Sequence, residues 1–391
     1  MSEWTSHKLA DLIDIKHGFA FKGEYFGEDP DGPILVTPGN FAIGGGFKEG
    51  KPKSYTGPIP EGFTLSEGDL VVTMTDLSKA ADTLGYAGVI PGGKKYLHNQ
   101  RIGKVAILKP GLVEKGFLHY ALRTDAYRSH VVGGATGTTV KHTSPTRIGQ
   151  YALSLPPVTE QQAIAAVLRA LDDKIAVNER IAATVNELAG ALFQGCFERS
   201  PRLITDVASI TMGQSPPGET YNEQGDGLPF YQGTRDFGMR YPRHRVWCTA
   251  VTRYAYENDV LVSVRAPVGE INVAAEECGI GRGVAAVRSV QYPHVLLHAL
   301  SSNHSVWQPY EAEGTVFGSI NKKQFSQLEL SWPSEQSIDG LESQLKALDD
   351  RLRQATEESR TLATLRDTLL PQLMSGRLRV KYAEKIVEDH T

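Results

Sequence analysis

Between Thr159 and Gln194 the apolar or small positions recur in steps of four and three: Ile164, Leu168, Leu171, Ile175, Ala182, Val185, Ala189 and Leu192. No proline interrupts the stretch, and Gly190 is its one glycine. Such spacing keeps one apolar stripe on one helical face and reads as a coiled-coil seam. A second seam runs through Leu341, Leu345, Leu348, Leu352, Ala355, Leu362, Leu369 and Leu373, within Ile338–Leu373. The two seams predict two long helices packed antiparallel. Leu168, Leu171, Ile175, Val185 and Leu192 are expected to pair with Leu345, Leu348, Leu352, Leu362 and Leu369. Each helix would be about 54 Å long at about 1.5 Å per residue. Asn178, Ser359 and Arg366 break the seams. One polar seam residue can fix register at some cost in stability; a helix end or a partner contact explains Arg366 equally well. Thr159-Glu160-Gln161-Gln162 offers a capping-box start with Thr159 as N-cap. Ser334-Glu335-Gln336-Ser337 is a weaker entry to the second helix.

The seams belong to a longer repeat. Leu171-Asp172-Asp173-Lys174-Ile175 returns 177 positions later as Leu348-Asp349-Asp350-Arg351-Leu352, and Gly137-Thr138 returns at the same offset as Gly314-Thr315. Gly68-Asp69-Leu70-Val71-Val72 resembles Asn258-Asp259-Val260-Leu261-Val262, and Asp11-Leu12 with Ile15 and Gly18 resembles Asp206-Val207 with Ile210 and Gly213. The offset drifts because loop lengths differ. One unit is therefore used twice: a Gly- and strand-rich domain, then a helix. Strands are expected at Ile34–Thr37, Asp69–Met74, Lys104–Leu108, Val260–Val264 and Gly283–Val287. Short helices are expected at Gly116–Ser129 and Pro293–Ser302. The expected fold is α+β, with two similar domains joined and spaced by an antiparallel helix pair in pseudo-two-fold symmetry. The expected boundaries are 1–155 for the first domain, 156–200 for the first helical region, 201–333 for the second domain, 334–376 for the second helical region and 377–391 for a C-terminal tail. The alternative is that each helix packs only on its own domain.

Composition narrows the classes. The 391 residues are 40% hydrophobic, which suffices for several packed cores. No apolar run approaches the roughly 18 residues of a membrane span. Met1-Ser2-Glu3-Trp4 lacks a signal-peptide pattern, and three scattered cysteines suggest neither a disulfide framework nor a zinc cluster, so a cytoplasmic setting is expected. The net charge of −4 is awkward for a protein gripping DNA alone. Met1–Pro156, however, carries 17 Lys and Arg against 15 Asp and Glu, a net of +2.

Catalytic motifs fail on inspection. Gly45 with Gly50-Lys51 has phosphate-loop spacing, but Pro52 stands where a magnesium-binding Ser or Thr is needed. Pro30-Asp31 with Glu49-Gly50-Lys51 mimics a magnesium-nuclease triad inside glycine-rich loops. Ser215-Pro216-Pro217-Gly218 resembles an amino-methyltransferase loop without the aromatic residue that stacks a flipped base. Gly279–Gly283 reads as a turn entering a strand. The eleven histidines show no metal-ligand spacing. No catalytic residue, metal or cofactor is therefore expected in this chain.

DNA-directed chemistry is better represented. Tyr231-Gln232-Gly233-Thr234-Arg235-Asp236-Phe237 leads to Arg240-Tyr241-Pro242-Arg243-His244-Arg245. Arg reads guanine through two hydrogen bonds, Gln or Asn reads adenine, and Lys holds phosphates. The candidates here are Gln232, Thr234, Arg235, Arg240, Arg243 and Arg245; in the first copy they are Asn40, Lys48, Lys51, Lys53 and Tyr55. Before the long helices stand Thr138, Thr139, Lys141 and His142 in one copy and Ser319, Asn321, Lys322 and Lys323 in the other. Packing against the helix would equally explain these two loops.

Several segments resemble a known family. Leu155-Pro156-Pro157-Val158-Thr159-Glu160-Gln161-Gln162, followed by Leu171–Ile175, is similar to the first shared helical region of type I restriction–modification specificity subunits. Leu365-Arg366-Asp367-Thr368-Leu369-Leu370-Pro371-Gln372-Leu373-Met374-Ser375-Gly376 resembles the end of their second. Asn99-Gln100-Arg101 and Val264-Arg265-Ala266-Pro267-Val268-Gly269 resemble core segments of their recognition domains. The resemblance implies a non-catalytic reader whose two domains each recognise half of a bipartite, asymmetric site in double-stranded DNA. It implies helices that set the spacing and bind two modification subunits, which carry S-adenosylmethionine and methylate adenine. Motor-nuclease restriction subunits would join in the full complex. The alternatives are a self-contained restriction–methylation enzyme or nuclease, and a coiled-coil adaptor that does not read DNA.

Overall fold

A computed structural model describes residues 4–29, 31–78, 80–196, 198–311 and 318–390. Pro30 of the triad-like motif and the Gly314-Thr315 repeat lie outside them. The chain divides into two compact units, Met1–Val177 with Glu358–Thr391, and Asn178–Glu357. Each long helix gives one part of its length to each unit.

In the first unit a four-stranded sheet has the order Ile13–His17, Ile102–Ile107, Leu70–Thr73, Ala87–Val89. A five-stranded sheet has the order Phe26–Gly27, Ser54–Tyr55, Ile34–Val36, Tyr96–His98, Thr64–Leu65. Within the latter, Ile34–Val36 and Tyr96–His98 run parallel. Thr5–Lys8 pairs with Ala152–Leu155 just before the long helix. The second unit repeats this plan position by position. Its four-stranded sheet runs Ser209–Met212, Val284–Arg288, Val260–Ser263, Ile271–Val273. Its five-stranded sheet runs Tyr221–Asn222, Trp247–Cys248, Leu228–Tyr231, Cys278–Ile280, Tyr254–Ala255, with Phe230 and Tyr231 parallel to Gly279 and Ile280. Arg199–Leu203 pairs with Glu329–Pro333 as the equivalent closing pair.

The central strands explain the run of apolar residues. Leu70-Val71-Val72-Thr73 and Val260-Leu261-Val262-Ser263 are buried throughout. Leu70 and Val72 face the core that contains the long helices, while Val71 faces the core beneath the five-stranded sheet. Val260 and Val262 divide from Leu261 in the same way. A strand covered on both faces loses the apolar–polar alternation of a half-exposed strand. The other predicted strands are present with ends shifted by one or two residues. Gly116–Ser129 is corrected to two helices, Lys115–Ala121 and Asp125–Gly133, because Thr124 caps a new helix through the Tyr127 amide.

The long helices are Val158–Gln194 and Ile338–Met374. Within each unit their segments run antiparallel. In the first, Asp172 meets Arg366 at 2.7 Å and Lys174 meets Glu358 at 3.2 Å. In the second, Cys196 Sγ lies 3.8 Å from Ser337 Oγ, and Arg240 joins Asn186 to Asp349. Leu168, Leu171, Leu362 and Leu369 are buried in the first core, with Ile175 packed beside them. Leu345 and Leu352 are buried in the second, with Val185, Leu192 and Leu348 against it. Arg366 is therefore a charged seam residue answered by Asp172. The buried Asn178 amide has no hydrogen-bond partner among the described residues. The alternative in which each helix packs only on its own domain is thus set aside within the units.

One helix entry differs from expectation. The first long helix begins at Val158, so Thr159 lies inside it and the capping box is not formed. Gln161 is instead fully buried. Its amide donates to the Leu112 and Pro156 carbonyls and its oxygen accepts from the Glu114 amide, tying the helix start to the domain. Residues 377–391 contain the helix Val380–Glu388, whose Ala383 is buried in the first core. No helix among the described residues is long and apolar enough to cross a membrane.

Candidate nucleic-acid interface

The repeated Leu-Asp-Asp motif fastens each domain to the helices. In the first unit Asp172 accepts from Tyr120 Oη at 2.9 Å, Arg123 Nη1 at 2.8 Å and Arg366 Nη1 at 2.7 Å. Burial alone would push this carboxyl up, but the Arg123 and Arg366 charges and hydrogen bonds hold it below the usual carboxylate range. His119 beside Arg123 is pushed down to about 3 by burial and by that guanidinium, so its ring is neutral. In the second unit Asp349 faces His294 Nδ1 at 2.8 Å, His298 Nε2 at 3.4 Å and Arg240 Nη2 at 3.4 Å. Burial again opposes ionisation; the two histidine hydrogen bonds and Arg240 outweigh it and hold the carboxyl well below its ordinary value. The next acid in each motif, Asp173 or Asp350, is exposed.

These fastenings correct part of the site expected from sequence. Arg240 is 6% exposed and donates to Asn186 at 2.6 Å, so it is a structural arginine turned into its unit. Asn40 is also buried; its oxygen accepts from the Thr37 amide and hydroxyl and closes a turn. Tyr55 is buried among Phe21, Tyr25 and Phe26. None of the three presents a side chain to a ligand.

The remaining candidates occupy loops on the five-stranded sheet or beside it. Lys48 is at the surface, Lys51 pairs with Glu28 at 2.7 Å, and the Lys53 ammonium lies 4.1 Å from the Phe26 ring centre. Both partners of the Lys51 pair are exposed, so water screens it and it is readily exchanged for another anion. In the second unit Arg243 is exposed, and Gln232, Thr234 and Arg235 stand on the same loop segment. Arg245 is held by Asp236 in a two-pronged pair at 2.6 and 3.0 Å, and the Asp236 carbonyl accepts from the Arg243 amide. Asp236 is buried, so it frames the loop that leaves Arg235 and Arg243 outside.

The loops before the long helices are drawn into the same neighbourhood. Lys141 and His142 pair with Asp76 and Thr75, next to exposed Thr138 and Thr139. His142 Nδ1 lies 3.2 Å from the Thr75 hydroxyl. Ser319 bridges to Arg265, while Asn321 caps the helix Lys322–Phe325 and leaves Lys322 and Lys323 exposed. Arg265, which follows the buried Val264 and bridges to Ser319, is also exposed beside these candidates.

Each unit thus presents a basic, loop-built surface on two sheets, clasped to a helix pair. Known proteins share parts of this sequence and this architecture. Residues 1–187 match the family model described as the type I restriction modification DNA specificity domain. The putative type I restriction enzyme MjaX specificity subunit of Methanocaldococcus jannaschii is 27% identical over 260 residues, covering 60% of this chain and 61% of that protein. The type I restriction enzyme EcoBI specificity subunit of Escherichia coli is 30% identical over 168 residues, covering 43% of this chain and 32% of that one. The chain thus spans less than two thirds of either relative. The crystal structure of the type I restriction-modification system S subunit from M. genitalium aligns with 95% of this chain and 96% of its own, at a TM-score of 0.62 and 17% identity. That likeness establishes the fold. Residues 1–187 are thus similar to the type I specificity domain, and the whole chain shares the fold of the S subunit.

Proposed function

We propose that the chain is the non-catalytic, sequence-reading subunit of a type I restriction–modification complex, with each unit reading one half of a bipartite site in double-stranded DNA. The observation that carries this reading is the duplication: two units of identical strand order present different side chains on equivalent loops. Lys48, Lys51 and Lys53 are exposed on the loops of one unit, and Gln232, Arg235 and Arg243 on those of the other. A shared frame with unlike tips suits two unlike half-sites. The helices set the separation of the half-sites and dock two modification subunits, which supply S-adenosylmethionine and transfer the methyl group. Motor-nuclease subunits complete the assembly for restriction, and the complex acts in the cytoplasm.

Phosphate contacts position a protein on DNA while base contacts specify the sequence. With a net charge of −4 the chain gains from partners that add to the electrostatic grip. The test combines the purified chain with the modification subunits of its own system, DNA and S-adenosylmethionine. Methyl transfer at one two-part sequence requires both components under this reading. Transfer by the chain alone, or sequence-specific transfer by the modification subunits without it, overturns the reading.

A further inference from the structure

We infer that Arg101 and Arg282, one on each unit, are sequence-independent phosphate contacts made in common by the two units. The inference rests on the DNA-reading proposal and goes beyond it in naming the contact that the units share.

The two arginines sit on equivalent turns linking the five-stranded sheet to the four-stranded one. Asn99-Gln100-Arg101-Ile102 closes with the Ile102 amide donating to the Asn99 carbonyl at 3.0 Å; Gly281-Arg282-Gly283-Val284 closes with the Val284 amide donating to the Gly281 carbonyl at 2.9 Å. Three further backbone bonds are repeated around each turn. Gly18 and Gly213 donate to the Ile102 and Val284 carbonyls, at 3.3 and 2.9 Å. Phe19 and Gln214 donate to the His98 and Ile280 carbonyls, at 2.8 and 3.0 Å. Met74 and Val264 donate to the Arg101 and Gly283 carbonyls, both at 2.9 Å. The loop before each turn lies so close that a Cβ on Gly18 would fall 2.2 Å from the Asn99 oxygen, and one on Gly213 2.1 Å from the Gly281 oxygen. The turns are therefore held in a fixed frame in both units.

That frame sits among the candidate reading loops. The carbonyl of Met74, whose amide binds the first turn, accepts from Thr143 next to His142; the carbonyl of Val264 accepts from Ile320 next to Ser319 and Asn321. Gly281 donates to the Tyr231 carbonyl, just before Gln232. Both arginines are exposed, and neither guanidinium is hydrogen-bonded or ion-paired to another described residue. Arg123, Arg240, Arg245 and Arg288 are by contrast committed to Asp172, Asp349, Asp236 and Asp259.

A phosphate role fits better than base reading. The frame is common to units whose neighbouring loops differ, so its contact does not depend on the sequence each unit reads. The arginine also stands at the third position of one turn and the second of the other. A two-pronged base contact demands one fixed geometry, whereas a phosphate tolerates a guanidinium that starts one residue away.

The test uses the chain assembled with its modification subunits. Kd is measured against salt concentration on a selected duplex and on a scrambled one, for the parent, Arg101→Ala, Arg282→Ala and the two Lys variants. Each Ala variant is expected to flatten the log–log salt slope by about 0.9 on both duplexes, the value of one phosphate contact. Half-site preferences in a randomised library are expected to stay those of the parent, and Lys is expected to restore the slope. Loss of preference at one half-site in an Ala variant would show base reading and overturn the inference. An unchanged slope with unchanged unfolding midpoint would place the turns away from DNA and overturn it too. A parent assembly with no sequence preference would refute the DNA-reading proposal instead, and the salt slopes on the scrambled duplex would still decide the phosphate contact.

Discussion

The Leu-Asp-Asp repeat supplies a controlled perturbation, because two adjacent acids have opposite surroundings. Asp349 is 6% exposed at its side chain and faces Arg240, also 6% exposed, with His294 and His298 beside it. Asp350 is 56% exposed and pairs one turn away with Lys346. Asp349→Asn preserves volume but leaves the buried Arg240 charge without its counter-ion. Removing one partner of a buried pair costs about 3–5 kcal/mol. Asp350→Asn removes an exposed pair worth about 0.3–0.5 kcal/mol. At a urea slope of about 3 kcal/mol per M, the buried change lowers the unfolding midpoint by about 1 M or more, and the exposed one by about 0.2 M or less. Tryptophan fluorescence is a suitable assay, because Trp247, Trp307 and Trp332 lie in the second unit and only Trp4 in the first. The pH dependence has a definite sign. A carboxyl held below its ordinary value stabilises fully above about pH 4, and the contribution is lost as pH falls through the lower folded-state value. The deficit of Asp349→Asn should therefore narrow only in acid below about pH 4. Equal midpoint shifts for Asp349→Asn and Asp350→Asn, or none for Asp349→Asn, would refute the fastening role.

Two other outcomes follow from the same contacts. Asp172→Asn should destabilise by an amount similar to Asp349→Asn, because it leaves Arg123, 2% exposed, without its counter-ion; comparing the two unfolding midpoints, by circular dichroism and by fluorescence, checks this. Arg240→Ala should lower the fluorescence midpoint of the second unit and leave the preferred DNA sequence unaltered, as measured by library selection, whereas a changed preference at normal stability would return Arg240 to the reading surface.

Periodic features were the legible ones. The helix seams show in the sequence because Leu168, Leu171, Leu345 and Leu352 repeat at heptad steps, and the duplication because Asp172 and Asp349 stand in matching strings. The partners of those acids were not legible: Arg123 and Arg366 serve one copy, His294, His298 and Arg240 the other, so no second pattern repeats. Within an arginine-rich loop, composition could not tell that Arg240 turns inward, Arg245 is held by Asp236, and Arg235 and Arg243 remain outside. Local pattern also hid the parallel pairing of Ile34–Val36 with Tyr96–His98, which joins strands far apart in the chain. The shared turns of Arg101 and Arg282 are hidden for a similar reason: their likeness lies in backbone hydrogen bonds, while their residues differ and the arginine shifts by one position.

The central claim is that two units read two half-sites independently, and one selection tests it most directly. The chain, assembled with its modification subunits, is used to select duplexes from a randomised library, in parallel with an Arg235→Ala, Arg243→Ala double variant. The parent is expected to return a two-part sequence with an unspecified spacer. The variant is expected to blur one part, by roughly 1–3 kcal/mol for each two-pronged hydrogen bond to a base that the substitutions remove, and to keep the other part intact. A parent that returns no two-part sequence, or a variant in which both parts change together, would contradict the account.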